Sequence, residues 1–175
     1  GPAFTVEVRP GDNLMFHVAL AVAKPRDVIV VDGKGDDTCA LFGELMVTQA
    51  EAARLAGFVV DAASRDTDTL AGGRFPLFAA GRNPCGPTKG LSGTLGRAIS
   101  IGGVAVQPGD LVVGDVDGVV IVPRDQVQAV LDAADAKIAA EKQRLAEIAE
   151  GVLISPWLDA ALQSAGLPVL GAARV

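Results

Sequence analysis

The stretch GELMVTQAEAARLAGFVVDAASRDTD, residues 43–68, decides the fold, because it joins a helix-length segment to a buried strand. A helix packed on a core is predicted by apolar residues at helical spacing, namely Leu41, Leu45, Ala52 and Leu55. The run Phe58-Val59-Val60 is apolar and mostly β-branched, which predicts a short buried strand. The stretch is therefore one α–β unit with polar residues after its strand.

The two ends of this unit carry residue types that suit an anion and a metal. Gly43 and Glu44 stand at the predicted helix start, where free backbone N–H groups and the helix dipole can bind a carboxylate. Arg65 and Asp66 follow the strand, and strand ends in α/β sheets commonly hold polar site residues. We therefore expect an anion-binding helix start, a guanidinium and an oxygen ligand for a hard metal to lie close together.

The rest of the chain alternates strands and helices at first and then becomes rich in strands. Before residue 43 we predict a strand over 3–8, a helix over 14–23 capped by Asp12 or Asn13, and a strand over 28–31 ending in a turn. Later strands are predicted over 75–79, 95–101, 104–106, 111–113 and 118–122. A long helix from Pro123 to about residue 149 and a short helix over 156–162 follow. This order predicts one layered α/β domain over residues 1–175, with a long C-terminal helix.

Composition narrows the class of protein and its partners. The 175 residues are 50% apolar, which is enough for one domain with a core. The net charge is −6 with no block of Lys or Arg, which argues against nucleic acid or an anionic membrane as a partner. There is no signal-peptide pattern and no apolar run near the roughly 20 residues that span a bilayer, so we expect a cytoplasmic protein. Cys39 and Cys85 are then expected to be reduced thiols.

Three further motifs predict no separate site. His17 is the only histidine and is expected on a helix face, because one histidine cannot form a zinc site alone. The Gly33-x-Gly35 motif follows a strand as in a dinucleotide fingerprint, but Thr38 occupies the third glycine position, so a flexible turn is preferred. The Asp115-x-Asp117-Gly118 motif lacks the closing glutamate of a calcium loop, so a β-turn is predicted.

Several short motifs along nearly the whole chain resemble the RraA-like family. They are Gly1-Pro2-Ala3-Phe4-Thr5-Val6, Gly11-Asp12-Asn13, Gly43-Glu44-Leu45-Met46, Arg65-Asp66, PGDLVVGD at 108–115 and Asp117-Gly118-Val119-Val120. Within the family the chain is similar to the 4-hydroxy-4-methyl-2-oxoglutarate / 4-carboxy-4-hydroxy-2-oxoadipate aldolases, whose signature is a glycine, then Arg-Asp, then an acidic residue. Gly43 and Arg65-Asp66 match this signature, whereas the acidic position falls on Thr69, one residue after Asp68. The resemblance implies a β/β/α fold of the swivelling-domain type.

The resemblance also implies a role for each site residue. Asp66 would be the one direct protein ligand of Mg²⁺ or Mn²⁺, and Arg65 would bind the pyruvyl oxygens and stabilise the enolate. The Gly43-Glu44-Leu45-Met46 turn would hold the substrate carboxylate through the N–H groups of Leu45 and Met46. Glu44 would help to move the proton, and Glu141 of the long helix would reach the site from a neighbouring subunit.

The implied reaction is a class II retro-aldol cleavage of a 4-hydroxy-2-oxo acid to pyruvate and a second oxo acid, as in aromatic degradation. Decarboxylation of oxaloacetate is the implied side activity, because it needs the same electron sink. The resemblance further implies a homotrimer or homohexamer with sites between subunits. It implies helices upstream of residue 1 as well, so the chain is expected to lack the family's N-terminal helical segment.

Two other functions stay open. RNase E inhibitors of the same fold bind a protein partner and lack the Asp of the Arg-Asp pair, so Asp66 argues against such a regulator. A mobile carrier domain would need a reactive His or Cys at a loop tip, whereas His17 lies in a predicted helix. Metal-dependent formation of pyruvate from oxaloacetate would separate the aldolase from the regulator.

Overall fold

A computed structural model describes residues 1–170 of the chain. The chain falls into two compact units, Gly1–Val127 and a second unit that begins at Gln128. Within the described range, no helix combines the length and apolar character needed to cross a membrane.

The first unit is built on a five-stranded sheet in the order β4-β3-β2-β1-β5. Strands β1 to β4 run parallel, and β5 is antiparallel to β1. Two hairpins, β6–β7 and β8–β9, accompany this sheet. The strands are β1 (Ala3–Glu7), β2 (Val28–Phe42), β3 (Gly57–Ser64), β4 (Leu77–Arg82), β5 (Thr94–Leu95), β6 (Ile99–Ile101), β7 (Val104–Val106), β8 (Leu111–Asp115) and β9 (Gly118–Val122). The helices are α1 (Leu14–Val22), α2 (Glu44–Ala52) and α3 (Thr67–Gly72).

Alternating side chains of the sheet form two apolar cores, one on each face. The first core joins the sheet to α1 and α2 and contains four phenylalanines in edge-to-face contact, Phe16, Phe42, Phe58 and Phe75. The second core joins the opposite face to the hairpins and includes Val30, Val59, Val106 and Val112. Helices on one face and hairpins on the other give a layered β/β/α unit, which confirms the predicted fold class.

The predicted core face of α2 was wrong at Leu45, which is 81% exposed, and at Ala52, which is also exposed. The helix begins only at Glu44, and its buried face consists of Met46, Val47 and Ala50. Leu41 and Leu55 are buried, but both lie outside the helix, in β2 and in the loop before β3. The apolar spacing therefore mixed residues of the helix with buried residues that flank it, although the predicted helix start at Gly43 and Glu44 is confirmed.

The predicted turn after Val31 was also wrong, because β2 continues to Phe42. Its pairing with β3 is irregular between Val31 and Phe42, so the Gly33-x-Gly35 motif lies in a bulged strand. Gly33 is needed for close approach there, since a Cβ atom would lie 2.6 Å from the Asp61 carbonyl oxygen. Helix α3 was not predicted, and the segment expected as one strand over 95–101 is divided between β5 and β6.

The predicted β-turn at Asp115-x-Asp117-Gly118 is confirmed as the connection between β8 and β9. The Asp117 N–H group donates to Asp115 Oδ1 at 2.9 Å, which closes the turn through a side chain. The carboxylate therefore stabilises a hairpin.

The second unit, within the described residues, contains all but the first residue of α4 (Val127–Ala149), and also α5 (Leu158–Ser164). The predicted long helix is confirmed, and none of its residues is buried. Arg144 pairs with Glu147 at 2.9 Å and donates to the Leu153 carbonyl oxygen at 3.2 Å, which ties the end of α4 to the following segment. Large apolar side chains on α4 remain exposed, including Leu131, Ile138, Leu145 and Ile148.

Candidate active site

Asp66 lies two residues after the end of β3 and is the N-cap of α3. Its backbone is left-handed, with φ of 57°, a conformation that Asp adopts more readily than most residues. Its Oδ2 atom accepts the Glu44 N–H group at 3.0 Å and lies 3.7 Å from Arg65 Nε. The carboxylate is thus held between the start of α2 and the neighbouring guanidinium, with 38% of the side chain exposed.

Gly43 makes this close approach possible. Its φ of −159° is ordinary extended backbone, so the glycine is not required for its dihedral angles. A Cβ atom at Gly43 would instead overlap the Asp66 carboxylate and lie 2.9 Å from Arg65 Cγ. The predicted pairing of a glycine at the helix start with the Arg-Asp pair therefore has a steric basis.

The first N–H groups of α2 differ in their availability to a ligand. The Glu44 N–H group is used by Asp66, and those of Met46 and Val47 donate to the Gly43 carbonyl oxygen at 3.1 and 3.2 Å. The Leu45 N–H group has no hydrogen-bond partner within residues 1–170. Leu45 thus presents the free amide at this helix start. The Met46 N–H group already donates to Gly43, so it could bind a ligand only through a bifurcated hydrogen bond.

A cavity of about 160 Å³ opens beside this helix start. Arg65 and Lys89 bring positive charge to its lining, and His17 and Asn13 add polar groups from α1 and its cap. Burial, and secondarily the nearby Lys89 ammonium, lowers the pKa of His17, so the imidazole is neutral at pH 7. The lining also includes Gly43, Leu45, Met46, Gly86 and Pro87. The cavity therefore suits a small anionic ligand.

Asp12 anchors the loop that closes this cavity. Its buried carboxylate accepts hydrogen bonds from the Thr88 hydroxyl and from the N–H groups of Leu14, Gly90 and Leu91, at 2.7 to 3.1 Å. Burial alone would raise the pKa of Asp12, but these donors outweigh it and lower the pKa from 3.8 to about 2. Of the two predicted caps of α1, Asn13 occupies the N-cap position without a side-chain cap bond, and Asp12 accepts the Leu14 N–H group from the position before it.

The two cysteines are distant in sequence but neighbouring in the fold. The Ala40 N–H group donates to the Cys85 carbonyl oxygen at 2.9 Å, which fastens the same loop to β2. Both thiols are free, Cys39 buried and Cys85 exposed. Burial raises the pKa of the Cys39 thiol, so this group is a neutral core residue.

At this site a metal ion would find the single carboxylate of Asp66, and not a set of several protein ligands. No group of three or more His, Cys, Asp or Glu side chains among the described residues could hold a metal ion together. Tetrahedral zinc sites need three or four such ligands, so the arrangement does not fit structural or catalytic zinc. Mg²⁺ is commonly held by one or two carboxylates with waters and substrate oxygens completing its shell, and the partly exposed Asp66 fits that pattern.

Glu141 belongs to the second unit, on α4. Its carboxylate lies 3.5 Å from Lys137 Nζ in an exposed pair. A role for Glu141 at the site of another subunit remains a prediction.

Comparison with known proteins matches residues 1–121 to the family described as RraA-like, Aldolase/RraA. The chain belongs to the RraA-like family. A relative from Halalkalibacterium halodurans, named "Putative 4-hydroxy-4-methyl-2-oxoglutarate aldolase", is 42% identical over 153 residues, which are 87% of this chain and 73% of the relative. The predicted resemblance is therefore confirmed at the level of the family.

Two solved structures of similar sequence share this RraA-like fold. An uncharacterised protein from Pseudomonas syringae has 30% identity and a TM-score of 0.76, covering 86% of this chain and 73% of its own. RraAS2 of Streptomyces coelicolor, titled an unusual member of the RNase ES inhibitor RraA protein family, has 31% identity and a TM-score of 0.72, with 82% and 75% covered. The family thus includes proteins named as enzymes and proteins named as inhibitors.

Sequence reasoning missed the polar residues that line the cavities around Arg65. Asn13 was considered only as a helix cap and His17 only as a helix-face residue, and Lys89 was not assigned to the site. Arg82, at the end of β4, was not considered. Its place after an apolar strand is the same signal that pointed to Arg65 and Asp66, and it could have been used.

Proposed function

We propose that this RraA-like protein is a divalent-metal-dependent class II aldolase that cleaves a 4-hydroxy-2-oxo acid to pyruvate and a second oxo acid. The observation that supports it best is the position of the Asp66 carboxylate, which accepts the first N–H group of α2 and lies beside Arg65. A carboxylate, a guanidinium and a free helix amide are the groups needed to bind a metal and a 2-oxo acid together.

Asp66 would hold Mg²⁺ or Mn²⁺, and the bound ion would supply a Lewis acid for the substrate's 2-oxo group. The Leu45 amide would bind the substrate carboxylate, with Met46 assisting by a shared hydrogen. Arg65 lines the same cavity and would donate to the 2-oxo oxygen as negative charge develops there. Its partial pairing with Asp66, at 3.7 Å, leaves donors of the guanidinium available.

The cleavage needs a base for the C4 hydroxyl and an acid for the new methyl group. Glu44 is exposed at the start of α2, next to Asp66, and we assign it to this proton transfer. Glu141 of a neighbouring subunit would share the task in a homotrimer or homohexamer. When the C3–C4 bond breaks, its electron pair forms the pyruvate enolate, which takes a proton at C3 to give pyruvate.

The test is pyruvate formation from oxaloacetate and from 4-hydroxy-4-methyl-2-oxoglutarate, followed with a lactate dehydrogenase coupled assay. Protein stripped with a chelator should be inactive, and added Mg²⁺ or Mn²⁺ should restore turnover. An absence of turnover with every divalent metal, by protein that remains folded by circular dichroism, would contradict the proposal.

A second candidate function is inhibition of a ribonuclease. It is favoured by the similarity to RraAS2, which is titled a member of an RNase ES inhibitor family. Inhibition of RNase E-type cleavage by the chelator-treated protein would support this function, and inhibition absent at saturating protein would rule it out.

A further inference from the structure

Arg82 lies on β4, which flanks β3 on the side opposite β2, the strand that leads into α2. It is the last residue of β4 and pairs in register with Ser64, the residue directly before Arg65. Paired strands lie about 4.8 Å apart, so this register brings the Arg82 backbone close to the Arg-Asp pair. A cavity of about 230 Å³ is lined by Ser64, Arg65, Asp66, Thr67, Arg82, Asn83 and Pro84. Arg65 and Asp66 therefore face a second cavity that contains Arg82.

The backbone that carries Arg82 is held in place by its neighbour Asn83. The Asn83 N–H group donates to the Ser64 carbonyl oxygen at 3.0 Å, and its Nδ2 donates to the Asp37 carbonyl oxygen at 2.7 Å. Its Oδ1 atom accepts the Cys85 N–H group at 2.8 Å. These three bonds fix the end of β4, which reduces the cost of ordering Arg82 around a ligand.

The Arg82 guanidinium has no hydrogen-bond or ion-pair partner within residues 1–170. The cavity is therefore lined by two arginines, Arg65 and Arg82, and by one acidic residue, Asp66. A divalent cation held by Asp66 would add further positive charge. The excess favours a ligand with two negative charges, and arginine suits a carboxylate because its fork can bind both oxygens.

We infer that Arg82 binds the distal carboxylate of a 2-oxo dicarboxylic acid and determines specificity at that end of the substrate. This inference rests on the proposed function, because it takes the other end of the substrate to lie at the Leu45 amide and Arg65. Lys89, in the cavity beside the helix start, is the competing cation for the same carboxylate. The position of Arg82 beside both Asp66 and Arg65 favours Arg82.

The experiment compares Arg82→Gln with the matched variant Lys89→Gln. Binding to the Mg²⁺-loaded protein is measured by calorimetry for 2-oxoglutarate, which has a distal carboxylate and no C4 hydroxyl, and for 2-oxopentanoate, which has neither. The wild type should bind 2-oxoglutarate more tightly. Arg82→Gln should lose about tenfold or more in affinity for 2-oxoglutarate and change little for 2-oxopentanoate. Lys89→Gln should keep the wild-type preference.

Loss of the preference in Lys89→Gln instead, an equal loss for both acids in Arg82→Gln, or a wild type without preference would each overturn the inference. Turnover of oxaloacetate is measured on the same samples. A preference that depends on Arg82 in a protein without turnover would contradict the aldolase function and leave the Arg82 assignment supported, so the two failures are distinguishable.

Discussion

At the scale of single residues, Asp66 combines an unusual backbone with a demanding set of contacts. Its left-handed φ of 57° turns the chain at the end of β3, and its carboxylate reaches back to the first amide of α2. Asn is also well tolerated in this backbone region and keeps an acceptor oxygen, so it can replace Asp66 with little effect on the local fold. Asp66→Asn therefore tests the negative charge of the carboxylate separately from its role in the local fold.

Asp66→Asn should weaken Mn²⁺ binding by at least about tenfold, because the variant loses the one carboxylate proposed to hold the ion. Mn²⁺ titration followed by electron paramagnetic resonance measures this directly. Asp68→Asn is the matched control, because it removes a nearby charge from α3 and should bind Mn²⁺ as the wild type does. Equal affinities for Asp66→Asn and the wild type would show that another group binds the metal.

Asp12→Asn should destabilise the protein at pH 7 by about 1–3 kcal/mol, because four donors lose a charged acceptor. The pKa of Asp12 is lowered from 3.8 to about 2 by folding, so its charge stabilises the folded state fully above about pH 4. This contribution is lost as the pH falls towards 2. Urea unfolding at several pH values should therefore show the wild type and variant converging in acid, and a difference independent of pH would contradict this assignment.

At the scale of elements, the junction between α2 and β3 depends on the absence of a side chain at Gly43. Gly43→Ala should displace Asp66 and Arg65, because its Cβ atom would overlap the Asp66 carboxylate. We expect at least a tenfold loss of Mn²⁺ affinity, or about 1.4 kcal/mol, with the fold retained. Gly72→Ala is the control, since a Cβ atom there would meet nothing within 4 Å. Similar metal affinities in both alanine variants would exclude the steric account.

The sequence predicted these elements unevenly, for physical reasons that differ between elements. Strand β3 was predicted from a short run of apolar, mostly β-branched residues, and helix α4 from apolar residues at helical spacing over most of its length. The start of α2 was predicted correctly at Gly43 and Glu44, but its buried face was misread at Leu45, because apolar residues of β2 continue into the helix without a break in spacing. The bulge in β2 was read as a turn because glycine permits both.

The candidate site was predictable only where its residues are adjacent in sequence. Arg65 and Asp66 follow a buried strand, and Gly43 precedes a helix, so local patterns and the family resemblance found them. Lys89 and Arg82 reach the site through loop closure and strand pairing. Such contacts depend on tertiary register, which a single sequence does not reveal.

At the scale of the whole molecule, the exposed apolar face of α4 bears on oligomeric state. Leu131, Ile138 and Leu145 are 52%, 61% and 66% exposed in the single chain. Contact with another subunit would bury these apolar side chains. We predict a homotrimer or homohexamer by light scattering, and Leu145→Glu should shift the mass towards the monomer. Gln143→Glu, which adds the same charge to α4, should leave the mass unchanged. A monomeric wild type would remove Glu141 of a neighbouring subunit from the proposed site.

The central claim is that Asp66 and Arg65 together stabilise the enolate of pyruvate when a divalent ion is present. The most direct measurement is the exchange of pyruvate methyl protons for deuterium in D₂O, followed by proton nuclear magnetic resonance. Wild-type protein with Mg²⁺ should accelerate exchange well above the buffer rate, and Asp66→Asn should lower the protein-dependent rate by about 10²–10³-fold. Exchange at the buffer rate by folded, metal-loaded wild-type protein would contradict the claim.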